Sequence, residues 1–167
     1  MMTELQKLLL SDKTEDILKG LELSKKKGSL KDVALICDLL NHREIEQFEK
    51  TIIEILSTIR IKEANTEIVD AIYKSKENKG NIRALMQVCW QSQLDFTQHL
   101  TLFTDIFIES DYLSSLEAFT VIENIWMDYT FNEELQSLLI DKLKDSLSDM
   151  DDDKLLLTKE LIQILEG

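Results

Sequence analysis

The 167-residue chain has no proline and only four glycines. Sandwiches and barrels need frequent tight turns made largely of those two residues, so their scarcity argues against an all-β fold. Cysteine is nearly as rare. Cys37 and Cys89 stand inside apolar runs, Ala34-Leu35-Ile36-Cys37 and Met86-Gln87-Val88-Cys89-Trp90, and read as small buried hydrophobes rather than a disulfide framework. Long apolar stretches are also missing: none approaches the ~20 residues needed to cross a bilayer. The start of the chain carries Glu4 and only a short leucine run, Leu8-Leu9-Leu10, too brief for the core of a signal peptide. A cytoplasmic protein is the expectation.

Bases are scarce at one end only. Residues 1–100 hold 15 Lys and Arg against 16 Asp and Glu, whereas residues 101–167 hold 4 against 16, so nearly all of the net charge of −13 lies in the last two fifths. Segregated charge creates a directional field that attracts cationic partners and repels nucleic acid and anionic membranes. The only basic run, Lys25-Lys26-Lys27, has no aromatic within it and suits the last turn of a helix better than phosphate contacts.

What is present is helical periodicity. With 44% hydrophobic and 31% charged residues, the chain is too apolar for disorder, and its apolar residues recur at three- and four-residue spacing. Ile45, Phe48, Ile52, Ile55/Leu56 and Ile59 form one inward stripe. Leu113, Leu116, Phe119/Val121, Ile122 and Ile125 form another. The chain is therefore expected to be all-α, more than two-thirds helical and without sheet. Caps set the boundaries: Gly28 in a left-handed conformation ending one helix, Ser29 with Asp32 opening the next, and further starts at Asn81, Asp95, Asp111, Thr130 with Glu133, and Asp151. These predict helices over 3–10, 14–27, 30–41, 43–60, 64–77, 82–91, 95–109, 112–129, 132–148 and 152–165. Short connections make successive helices antiparallel neighbours.

A shift of about fifty residues lays Leu35-Ile36 on Leu85-Met86 and Val69-Ala71-Ile72 on Phe119-Val121-Ile122, a period at which helical hairpins stack. Over residues 12–148, most clearly in Ile82–Trp90 followed by Phe96–Phe103, the chain resembles the HEAT and armadillo-like repeat family. That resemblance implies one domain over 1–167, a short right-handed α-solenoid or else an irregular bundle, acting in protein binding. The proline usual in the first helix of a HEAT repeat is absent.

Catalytic and metal motifs are sparse. Asp149, Asp151, Asp153 and Glu160 fall at positions one, three, five and twelve of a calcium loop, but Lys154 stands where the loop needs glycine, and Leu155, Leu156 and Leu157 continue a helical face. An acidic first turn is the better reading, and no metal, cofactor or catalytic residue is expected. His42, in the turn Asn41-His42-Arg43, is expected to satisfy helix-end carbonyls, and His99 has apolar neighbours. Trp90, Phe96, Phe103 and Phe107 are spaced for a core. Trp126, Met127 and Tyr129 exceed what their helix needs inward and lie beside Asp128, Glu133 and Glu134. With Asp151, Asp152 and Asp153, they form the candidate docking surface for a basic partner protein. Two rival readings are an inhibitor or immunity-type protein that blocks a basic active site, and an enzyme using Asp105, Glu109 and Glu123.

Overall fold

The structure, a computed structural model, describes residues 1–167. It contains ten α-helices and no strand, with 78% of the chain helical. The helices are α1 (Glu4–Leu9), α2 (Thr14–Lys27), α3 (Leu30–Asp38), α4 (Glu49–Ser57), α5 (Ala64–Asn78), α6 (Ile82–Gln91), α7 (Leu100–Glu109), α8 (Tyr112–Asp128), α9 (Glu133–Ser146) and α10 (Asp152–Glu166). Four of the expected helices are shortened by 3₁₀ turns at their ends, at Leu39–Asn41, Ile45–Gln47, Thr97–His99 and Leu147–Asp149. Helix ends commonly tighten in this way to satisfy their last unpaired groups.

The chain divides into two compact units, Met1–Asp95 and Phe96–Gly167. In the first, α1 pairs with α2, α3 with α4 and α5 with α6. Helices one step further apart are also neighbours, α1 with α3, α2 with α4, α3 with α5 and α4 with α6. Its core gathers fully buried Ile17, Leu21, Ile52, Leu56, Ile68 and Ile72, each contributing roughly 1.5–3 kcal/mol of apolar transfer as an upper bound. In the second unit, α7 pairs with α8 and α9 with α10, while α7 also meets α9 and α8 meets α10. Phe103, Phe107, Ile122, Leu139, Leu143 and Leu161 are buried at its centre. Phe96 lies edge-on to Phe103, with ring centroids 6.1 Å apart.

Several caps form as the sequence predicts. The Asp32 carboxylate accepts from the Ser29 N–H at 2.8 Å and its hydroxyl at 2.7 Å. Asn81 accepts from the Ala84 N–H, Asp111 from the Ser114 N–H, and Asp151 from the Lys154 N–H. Others differ. α9 is capped by Asn132, which accepts from the Leu135 N–H at 2.8 Å, and not by Thr130. After Asp95, whose carbonyl accepts from the Asn65 amide, a 3₁₀ turn begins at Thr97 and α7 only at Leu100. Gly28 is extended, with φ −62° and ψ 144°. Glycine is required there by space rather than by handedness, because a Cβ would stand 2.6 Å from the Ser24 carbonyl oxygen. The left-handed position belongs to Lys79, φ 53°, at the end of α5.

Both cysteines are buried and unpaired. Burial pushes the Cys37 thiol up to about 12 and the Cys89 thiol well above its ordinary range. Trp90 departs from the expected aromatic core and is part-exposed. His42 uses its ring Nδ1 to accept from the Glu44 N–H at 3.1 Å and tilts against Phe48, so its ring serves the following turn rather than helix-end carbonyls.

Candidate functional site

The second unit holds 4 Lys and Arg against 16 Asp and Glu, and the placement of the four bases decides how its surface looks to a partner. Lys142 pairs with Asp105, joining α9 to α7, and Lys144 pairs with Glu166 at 2.9 Å, joining α9 to α10. Lys154 is buried. Its Nζ donates to the Ile108 carbonyl at 2.6 Å and the Ser110 carbonyl at 2.7 Å, and stands 6.0 Å from the centre of the Phe107 ring. Only Lys159 remains exposed without such a tie. The field of the acids therefore meets little local compensation.

Lys154 also disposes of the calcium-like spacing. The segment that would form the loop is the first turn of α10, with Asp151 as its cap, and its sixth position is a lysine aimed at the end of α7. Ser115 completes that cap by donating to the Phe107 carbonyl at 2.7 Å. A cation at a helix C-terminus is favoured by the macrodipole. Burial nevertheless lowers the Lys154 pKa from the usual lysine value, opposed by the carboxylates of Asp151 and Asp111. No group of three or more His, Cys, Asp or Glu side chains is gathered as a metal would require.

The rotation of α8 differs from the sequence reading. Its buried face consists of Ser114, Ser115, Ala118, Phe119, Val121 and Ile122, so Leu113 and Leu116, expected inward, point to solvent at 50% and 39% exposure. Tyr112 and Met127 are exposed at 42% and 74%. At 3.6 residues per turn, Leu113, Leu116, Thr120 and Met127 share one face with Tyr112 at its edge. This stripe is interrupted by Glu123 and Asn124 on the same face, so its apolar residues are Tyr112, Leu113 and Leu116 in the first turns and Met127 in the last, about 22 Å apart at 1.5 Å per residue. No Lys or Arg occurs anywhere in α8.

The residues predicted to dock a partner fall into three groups. Met127 and Tyr129 are exposed. Trp126 is not a presented anchor, since its ring stacks on Phe131 at 5.0 Å and 12°. Asp128, Glu133 and Glu134 are exposed where α8 gives way to α9, and Asp152 and Asp153 are exposed at the start of α10. Asp111 and Asp151 both act on the Lys154 ammonium, which sets the α10 acids beside the first turn of α8. The stripe is thus bounded by carboxylates at both ends. Tyr112, Leu113 and Leu116 were missed because both faces of α8 are apolar, so spacing alone leaves its rotation open; the small Ser114, Ser115 and Ala118 were the available signal.

Of the carboxylates in the enzyme reading, Asp105 is held by Lys142, Glu109 ends the same helix α7, and Glu123 stands on α8. Comparison of the chain with protein-family models, curated proteins and solved structures gives no match.

Proposed function

We propose that the chain is a non-catalytic protein-interaction module whose second unit docks a basic amphipathic helix on the outward face of α8. One observation carries this reading: exposed apolar residues near both ends of α8, about 22 Å apart at ~1.5 Å per residue, lie on a helix without a base and are flanked by acids at each end. Exposed apolar surface of this kind is characteristic of interaction sites. The occupant it fits is a helix of about fifteen residues, at the same rise, with Leu- or Met-like side chains along one face and Lys or Arg near both ends. A second copy of the chain would bring a like-charged unit against it, and nucleic acid or an anionic membrane would be repelled. The pairing of odd-numbered with odd-numbered and even-numbered with even-numbered helices inside each unit supports a HEAT or armadillo-like stacking of hairpins. A partner enzyme whose basic site is covered would use the same surface.

The reading is tested by titrating ¹⁵N-labelled protein with a synthetic amphipathic helix of Leu and Lys, and with the same peptide bearing Glu in place of Lys. Saturable shifts should centre on Tyr112 to Tyr129 and appear with the Lys peptide alone. Shifts centred elsewhere, or equal response to the Glu peptide, would remove the proposal.

A further inference from the structure

The first unit contains a cleft of about 610 Å³ between α4 and α6, independent of the α8 face. Ser57, Glu54 and Lys50 line it from α4 and Gln87 and Gln91 from α6, with Gln93 and Arg60 at one end. Ser57 Oγ is the one buried side-chain nitrogen or oxygen in the chain that has no hydrogen-bond partner. Its neighbour Thr58 shows what such a hydroxyl does by default, donating back to the Glu54 and Ile55 carbonyls. A buried polar group left unsatisfied costs free energy that a ligand or water can recover.

The lining discriminates among ligand classes. It contains no aromatic side chain, so a nucleobase or sugar ring finds no stacking platform. Lys50 and Arg60 balance Glu49 and Glu54, so a polyanion gains no net attraction. The carboxamides of Gln91 and Gln93 and the Ser57 hydroxyl instead offer paired donors and acceptors, which match those of peptide amides. The charges are also ordered. Glu49 is committed to the Asn81 amide at 2.7 Å, leaving Glu54, which also acts on Lys25, as the remaining acid, while Arg60 and Gln93 continue into an adjoining hollow of about 400 Å³ that adds Lys62 and Asp95, two bases against one acid.

We propose that this cleft binds a short zwitterionic peptide, its ammonium toward Glu54 and its carboxylate toward Arg60 and Lys62, with Gln91, Gln93 and Ser57 on its amides.

The test uses trialanine with free termini, followed by backbone amide shifts of the full chain. Trialanine should give saturable shifts confined to residues 49–65 and 87–95. N-acetyl-trialanine amide, lacking both charges, should bind about tenfold more weakly, as should Arg60→Gln, consistent with the loss of a charge-assisted hydrogen bond. Ser57→Ala should weaken binding about threefold. Arg60 and Glu54 are exposed, and unchanged shifts away from the cleft establish that a variant is folded. No saturation at millimolar trialanine, equal affinity for the capped peptide, or an Arg60→Gln variant that is folded and binds normally would each overturn the proposal.

Discussion

The two units reach similar helical architectures from different electrostatic starting points. Met1–Asp95 carries 15 bases against 16 acids, while Phe96–Gly167 carries 4 against 16. The first can distribute pairs such as Lys25 with Glu22 at 3.0 Å over a nearly neutral surface. The second spends three of its four bases inside its own structure, on Asp105, on Glu166 and on the carbonyls ending α7. Holding its helices together and presenting uncompensated acid outward are thus consequences of one placement. Each unit also holds one tryptophan, Trp90 or Trp126, so the comparison can be made in solution unit by unit.

The sharpest break should come from Lys154→Met. It takes the ammonium from the Ile108 and Ser110 carbonyls, leaving Ser110 only the Ser115 hydroxyl at 3.3 Å, and we expect the second unit to lose about 2–4 kcal/mol. Urea unfolding followed by Trp126 emission in a Trp90→Phe background reads that loss, while Trp90 emission in a Trp126→Phe background should report an unchanged first unit. Coincident loss at both tryptophans would show that the units do not respond separately.

Gly20→Val provides the converse. A Cβ at Gly20 would stand 3.0 Å from Leu9 Cδ2 and 3.1 Å from the Leu9 backbone nitrogen, so the substitution should force α1 from α2 and cost the first unit about 1–3 kcal/mol. The second unit should be unaffected in the same pair of fluorescence measurements.

Smaller effects follow from charge. Raising salt from low to high concentration should stabilise the second unit by screening its self-repulsion and leave the first nearly level; parallel salt responses would mean that the segregation has no energetic consequence. The first unit should have its own pH signature. Its Cys37 thiol is raised from 9.0 to about 12 by burial, so above pH 9 the unfolded chain loses the thiol proton before the folded one does. Stability is therefore level below that value and falls as pH rises toward 12. The buried Cys89 thiol adds in the same sense, so Cys37→Ala should reduce the slope and Cys37→Ala with Cys89→Ala should reduce it further, and native thiols should resist an alkylating reagent at neutral pH.

Helix positions were largely legible in the sequence because caps and breaks are local. Asn81, Asp111 and Asp151 each act on a backbone group three residues away. Side-chain direction was less legible where it depends on neighbours. α8 is apolar on two faces, and its rotation is set by small Ser114, Ser115 and Ala118 against the rest of the unit, which no spacing rule supplies. Lys154 read as an interruption of a loop, yet its partners are 44 and 46 residues away. Trp126 read as an anchor because Phe131 lies beyond the helix end, outside the pattern that assigns faces.

The central claim is most directly tested by stopped-flow kinetics of a basic amphipathic fifteen-residue helix with the full chain. Leu113→Ser with Leu116→Ser should accelerate dissociation about tenfold or more, as loss of a central apolar anchor does. Asp152→Asn with Asp153→Asn should instead slow association, and added salt should slow it further. Salt-insensitive association, with both double variants matching the original rates, would contradict the assignment of α8 as the docking face.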